Sequence, residues 1–190
     1  AGDLFTVSGT ATFSDKNAGT GKTVTAAGIT LTGTDAGNYT QNTSTTTTAN
    51  ITRKSLAVTI TASNKTYDQT TAASVTYADD RIAGDSFTVS GTATFASKTY
   101  GVGKTVTATG IALTGTDSGN YTQNTTATTT ATINKKSLVV TITASNKTYD
   151  RTTSASVTYA DDRIAGDVLT VSGTPTFADK NVGTGKTVTA

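Results

Sequence analysis

From Leu56 the chain alternates apolar with small or polar residues: Leu56, Val58, Ile60 and Ala62 stand between Ala57, Thr59 and Thr61. Period-two alternation is what a strand with one buried face requires, so the run predicts a half-buried strand. Ser63-Asn64-Lys65-Thr66 predicts a turn, and Tyr67-Asp68 follows. Val75 and Tyr77 fall on one face of a second strand, between Ser74 and Thr76. A polar connection comes next, Ala78-Asp79-Asp80-Arg81 and Ala83-Gly84-Asp85, around one apolar anchor, Ile82. Phe87 and Val89 alternate with Thr88 and Ser90, and Phe95 continues the strand past Gly91. Gly101 and Gly103 mark residues 98–104 as a tight hairpin connection. Val106 and Ala108 make the next strand, and Ile111 and Leu113 form a short apolar pair after Gly110. Thr116-Asp117-Ser118-Gly119-Asn120 carries turn chemistry, since Asp and Asn bond nearby backbone and Gly supplies positive φ. Tyr121 returns to the core, and a Thr/Ala alternation leads to Ile133. The expected core is Leu56, Val58, Ile60, Tyr67, Val75, Tyr77, Ile82, Phe87, Val89, Phe95, Val106, Ile111, Leu113, Tyr121 and Ile133.

This pattern recurs. Lys54-Ser55-Leu56 returns as Lys136-Ser137-Leu138, 82 positions later, and Ala1-Gly2-Asp3 returns as Ala83-Gly84-Asp85 and Ala165-Gly166-Asp167 at the same spacing. No insertion or deletion interrupts the period, so the chain is a tandem array. It holds the last part of one repeat (1–53), a complete repeat (54–135) and the first part of a third (136–190), here called copies one, two and three. Beginning and ending inside a repeat, it is expected to be a piece of a longer protein. Only Asn134 to Ser137 separate Ile133 from Leu138, and so short a linker favours an elongated end-to-end rod. The expected fold is all-β: small antiparallel sandwich-like modules of seven or eight short strands each.

Composition supports strands over helices. Thr is far commoner than in ordinary globular chains, and it favours extended backbone while its hydroxyl tolerates water. Glu, His, Cys, Met and Trp are missing and the formal net charge is +2. Interspersed Lys and Asp give no electrostatic footprint for nucleic acid, and no apolar run suits direct insertion into a membrane. Without Cys there is neither a disulfide staple nor thiolate–metal chemistry.

Differences between copies sharpen the assignments. Phe87 is Phe5 and Leu169 elsewhere, as a core position predicts, whereas Ser86 is Leu4 and Val168, as a surface position predicts. Ala93 becomes Pro175, the sole proline, which places that position on an edge strand or at a bulge. Tyr100 corresponds to Ala18 and Val182, so that loop is free to vary.

Candidate chemistry is sparse. Gly21-Lys22-Thr23, Gly103-Lys104-Thr105 and Gly185-Lys186-Thr187 have the ending of a phosphate loop. Its upstream Gly is replaced by Lys16, Lys98 and Lys180, and a strand follows where a helix N-terminus is needed. Asp117-Ser118-Gly119 has the letters of an aspartic-protease triplet, but no second matched carboxylate loop shares a proton with it, so it reads as a turn. Asp79, Asp80 and Asp85, repeated as Asp161, Asp162 and Asp167, are the densest carboxylates. Calcium at these Asp-rich turns is the weaker expectation, because the spacing fits no calcium loop and Arg81 or Arg163 stands among them as a pairing partner. An isopeptide crosslink has no Glu to shuttle its proton and no Lys that the sequence marks as buried. With no His, Cys or Glu, no set of nucleophile, base and oxyanion donor assembles. The chain is expected not to be an enzyme, with no catalytic, cofactor-binding or metal-ligating residue and no cofactor.

The run Lys65-Thr66-Tyr67-Asp68 before Thr70-Thr71, then Ala83-Gly84-Asp85, Gly91-Thr92-Ala93-Thr94-Phe95, Gly103-Lys104-Thr105-Val106, Leu113-Thr114-Gly115 and Asn120-Tyr121, resembles the YDG/MBG-type repeats of large bacterial surface adhesins, such as filamentous-haemagglutinin-like secreted proteins. Where the family name implies Gly after Tyr-Asp, this chain has Gln69 and Arg151, which argues against a positive-φ turn there. The resemblance implies secretion to the bacterial cell surface and a place in a stalk that projects a terminal binding domain. Neighbouring repeats of the same chain are the first expected partners. The alternative expectations are weak binding of host or matrix glycans or proteins with avidity from repetition, with Tyr100 as the candidate aromatic platform, or assembly into an extracellular fibre.

Overall fold

The computed structural model describes residues 2–190; Ala1, with which copy one begins, lies outside the described residues. Copy one contains β1 (Thr6–Phe13), β2 (Gly19–Thr32) and β3 (Ser44–Ile51). Copy two contains β4 (Lys54–Leu56), β5 (Val58–Ala62), β6 (Lys65–Thr66), β7 (Val75–Asp79), β8 (Thr88–Phe95), β9 (Gly101–Thr114), β10 (Tyr121–Gln123) and β11 (Thr126–Asn134). Copy three contains β12 (Val140–Ala144), β13 (Val157–Asp161), β14 (Thr176–Phe177) and β15 (Val188–Thr189). Among the described residues the helical elements are two single 3-10 turns, Ala36–Asn38 and Ser118–Asn120, so the chain is all-β with several small sheets.

The contacts gather into two compact units whose limits cut across the copies. The first holds the residues up to Ser63 with Ala72–Ala96 and Thr105–Ala131; the second holds Asn64–Thr71, Ser97–Lys104 and Thr132–Ala190. In the first unit β1, β2 and β3 form an antiparallel sheet, β5 pairs with β7, and β8 pairs with β9 from Thr88 opposite Thr114 to Phe95 opposite Val106. In the second, β12 pairs antiparallel with β13 and β14 with β15.

Pairing is not antiparallel throughout. β10 runs parallel to β4, with Tyr121 opposite Lys54, and the end of β11 runs parallel to β6, with Ile133 opposite Lys65. Parallel neighbours need a long crossover, and the body of the repeat supplies it. Lys65-Thr66 is therefore a short strand and not the expected turn, and Asn64 Oδ1 accepts the Thr132 N–H beside it at 2.7 Å. Residues 111–113 also belong to β9, where two short elements were expected. A bulge in β9, where residues 110 and 111 stand opposite the single residue Gly91, shifts the parity, so Val106 and Ala108 before it and Ile111 after it all reach the core.

Leu56, Val106 and Ile133 are the largest fully buried side chains, and Val58, Ile60, Phe87, Phe95, Ile111 and Tyr121 are buried with them, all as expected. Ala93, Ala108 and Ala131 complete the core, and Ala93 faces Ala108 across β8 and β9. Tyr67, Val75, Tyr77, Val89 and Leu113 are only half-buried. Ile82 is a correction: it is 57 % exposed. Its backbone N–H donates to the Tyr121 hydroxyl at 3.0 Å, so the connection is anchored through its main chain while the side chain meets solvent. β8 is the edge strand of its sheet, as the Ala93-to-Pro175 exchange predicts, and Pro175 directly precedes β14.

The Tyr-Asp-x position is a second correction. Gln69 and Arg151 have φ of 64° and 66°, so the left-handed turn persists without glycine. Asp68 Oδ1 accepts both the Thr70 N–H and the Thr70 hydroxyl at 2.9 Å, and Asp150 does the same for Thr152. This Asx-type turn offsets a left-handed backbone that costs a non-glycine residue about 1–2 kcal/mol.

Tyr77 and Tyr159 bury hydroxyls that have no hydrogen-bond partner. Gly91 makes room for the first, since a Cβ there would come within 2.9 Å of the Tyr77 hydroxyl. A buried unsatisfied hydroxyl is costly, so Tyr77→Phe is expected to stabilise the protein by about 1 kcal/mol, read as a raised urea midpoint at constant m-value.

Candidate functional site

A side-chain network in copy two is built on Tyr121. The 3-10 turn Ser118–Asn120 delivers it to the start of β10, and Asp117 Oδ2 ties that turn down by accepting the Ser86 N–H at 2.9 Å. The Asp-Ser-Gly triplet is thus a turn clamp. Tyr121 is 3 % exposed; its ring packs on Phe87 with centroids 5.1 Å apart, and its hydroxyl donates to Asp85 Oδ2 at 2.6 Å. Burial and the Asp85 hydrogen bond raise its phenol above the ordinary 10.0.

The remaining aspartates of the cluster turn to separate cations. Arg81 donates to both oxygens of Asp79 (2.8 and 2.6 Å) and to the Phe87 carbonyl (2.7 Å), with its guanidinium 3.8 Å from the Phe87 ring centroid. Lys54 pairs with Asp80 at 2.9 Å. Among the described residues no three carboxylates gather as a metal site would need. The lysines of the Gly-Lys-Thr triplets, Lys22 and Lys104 on strands and Lys186 just before β15, clasp their own hairpins: Lys22 binds Asp15, Lys186 binds Asp179, and Lys104 binds Ser97 at 2.6 Å.

Copy one repeats the central pair. Tyr39 donates to Asp3 and its ring lies 5.3 Å from Phe5. The sequence carries a signal for this pair: Tyr and Asp recur 36 positions apart in both copies. A period alone does not say which of its members touch, and the acidic turns with Arg81 and Arg163 among them point to calcium or arginine, not to tyrosine.

Copy three keeps the frame. Arg163 still grips Asp161 (2.7 and 2.5 Å) and Lys136 still pairs with Asp162 (2.8 Å). A cavity of about 370 Å³ is lined by Lys136, Leu138, Arg163, Ile164, Asp167 and Leu169 with Tyr67, Thr99, Tyr100 and Lys135. Leu138 is 37 % exposed, against 1 % for its counterpart Leu56. Asp167 Oδ1 accepts from the Tyr67 hydroxyl at 2.7 Å and from Gln69 Nε2 at 2.8 Å. Lys135 Nζ lies 5.1 Å from the Tyr100 ring centroid, within cation–π range, and the Tyr100 ring is exposed.

Ion pairing makes the protein acid-sensitive. Lys65 holds Asp68, Lys147 holds Asp150 and Arg163 holds Asp161, each lowered from 3.8 to about 2. Depressed folded-state values contribute stability that is complete above about pH 4 and is lost as pH falls toward about 2. The urea midpoint is expected to hold from pH 6 to about 4 and to fall below it, with the fall reduced in Asp161→Asn.

The sequence profile of the YDG domain matches residues 1–48, 52–131 and 134–190. No curated protein and no solved structure matches the chain.

Proposed function

The chain belongs to the YDG domain family, and from that membership we propose that its repeats are spacer modules in the stalk of a long, secreted bacterial surface adhesin, holding a terminal binding domain away from the cell. The observation that carries this reading is repetition without insertion or deletion. Three consecutive family matches follow one another with only a few residues between them, and the same Tyr–Asp and Arg–Asp contacts recur from copy to copy. A spacer needs many soluble modules and short connections; Thr-covered strands provide the first and the linker at 134–137 the second. The modules stand end to end as an elongated rod outside the cell, and their first partners are neighbouring repeats. Nucleic acid, membrane insertion and catalysis have no part in it.

The test is small-angle scattering on chains of two, four and six repeats. The maximum dimension is expected to grow linearly by about 35–50 Å per repeat, from strands rising about 3.3 Å per residue plus their turns. Growth with the cube root of length, as for a globule, would reject the spacer.

A second reading, weak binding of host or matrix glycans, has one observation in its favour: the exposed Tyr100 ring at the copy-three cavity. Glycan-array binding that sharpens with repeat number and disappears in Tyr100→Ala would promote it.

A further inference from the structure

One aspartate of the repeat meets two repeats at once. Asp3, Asp85 and Asp167 occupy the same position, the end of Ala-Gly-Asp. In copies two and three its N–H closes a turn on the Ile82 and Ile164 carbonyls, at 3.1 and 3.0 Å. Inside its own repeat the carboxylate uses Oδ2, which accepts the Tyr39 hydroxyl at Asp3 and the Tyr121 hydroxyl at Asp85.

Oδ1 turns to the repeat before. Within the second compact unit, Asp167 Oδ1 of copy three accepts the Tyr67 hydroxyl at 2.7 Å and Gln69 Nε2 at 2.8 Å, both from copy two. Gln69, in the left-handed position of its turn, also donates to the Ala165 carbonyl at 3.1 Å, so it holds both ends of Ala165-Gly166-Asp167. Within the first unit, Asp85 Oδ1 of copy two lies 3.7 Å from Nζ of Lys16, a residue of copy one. The Asp85 side chain is only 14 % exposed, and a carboxylate so covered needs donors on both oxygens. Two neighbours of Asp85 face copy one in the same way. Asp117 Oδ1 lies 3.4 Å from Lys16 Nζ, and Asn120 Oδ1 accepts the Ala18 N–H at 2.8 Å.

We propose that this aspartate couples each repeat to the one before it. Oδ2 holds the repeat's own tyrosine, while Oδ1 receives hydroxyl, amide or ammonium donors of the preceding repeat. Its partner surface is the Tyr-Asp-x turn together with the lysine two positions before Ala18 or Tyr100. Stability then passes along the array by nearest-neighbour coupling, so that loosening one repeat loosens the next. The inference names the residues that join neighbouring repeats and is independent of the stalk reading, whose test is molecular length.

Amide hydrogen exchange of the full chain, followed by NMR, tests it at the junction of copies two and three. Tyr67→Phe, a change in copy two, is expected to speed exchange of the Asp167 amide in copy three about tenfold, as for loss of a hydrogen bond to a charged acceptor. Asp167→Ala is expected to speed exchange of the Tyr67 amide, which donates to the Asn134 carbonyl at 2.9 Å, by a similar factor. In the Asp167→Ala background, Tyr67→Phe is expected to change neither amide further. Gln69→Ala keeps both the ring and the carboxylate, and is expected to speed the Asp167 amide about threefold. It decides the matter should either larger change unfold its own repeat, which slow exchange in β5 and β12 checks. A Tyr67→Phe effect that is absent or confined to copy two overturns the proposal, because the tyrosine then braces only its own repeat. An effect undiminished in the Asp167→Ala background overturns it as well.

Discussion

Replacing Tyr121 with alanine is expected to lower the unfolding free energy by about 3–5 kcal/mol, the range for deleting a large buried ring. The ring is buried and packed on Phe87, and its removal opens a cavity beside that ring. The hydroxyl adds to the loss, because Asp85 Oδ2 and the Ile82 N–H both meet it. Tyr121→Phe keeps the ring and removes only those bonds, so it should cost about 1–2 kcal/mol. Urea unfolding followed by near-ultraviolet circular dichroism separates the two. Equal losses for Ala and Phe would mean that the hydroxyl alone holds the seat together; no loss for either would mean that Tyr121 is a surface residue.

Gly115→Ala is expected to cost at least about 3 kcal/mol, adding backbone strain to overlap. Its φ is +145°, and a Cβ would lie 2.6 Å from Phe87 Cα and 2.8 Å from the Ser86 carbonyl oxygen, so backbone and not a flexible side chain blocks it. The turn it begins carries Asp117 to the Ser86 N–H and then Tyr121 to Phe87, so displacement there loosens the whole seat. Gly119→Ala is the control: nothing lies within 4 Å of a Cβ at that position. If the two alanines unfold at the same urea concentration, the close approach of Gly115 to Phe87 is not part of the folded protein.

What the sequence discloses, and what it hides, follow from two kinds of interaction. Burial is written in side chains, so alternation finds Leu56, Val58, Ile60, Val106 and Ile133 directly. Main-chain pairing leaves no such mark. Lys65-Thr66 reads as a turn because its residues are polar, yet it is a strand whose partner lies at the far end of the repeat. Ala93, Ala108 and Ala131 escape notice because a methyl group is a weak apolar signal, although all three are buried. Ile82 misleads in the opposite sense, an apolar letter whose role belongs to its amide. At Gln69 and Arg151 the absence of glycine argues against a left-handed turn that the aspartate before it supports. The candidate site is legible only by comparing copies: its residues recur, but contact between Tyr121 and Asp85 depends on how the turn at 118–120 folds back.

The parallel pairs have a consequence for a chain held under tension. β4 opens copy two and β10 lies close to its end, and they point the same way. Pulling the two ends of the repeat apart draws these strands past each other along their length. Their hydrogen bonds, which cross between the strands, are then strained together instead of parting one at a time as in a peeled hairpin. The contact spans only Tyr121 to Gln123 against Lys54 to Leu56, but the Tyr121 ring and Leu56 are buried at its two ends, so sliding must also drag both side chains out of the core. Resistance to stretching would therefore reside in the short parallel pairs of each repeat, with rupture governed by the barrier to shearing them.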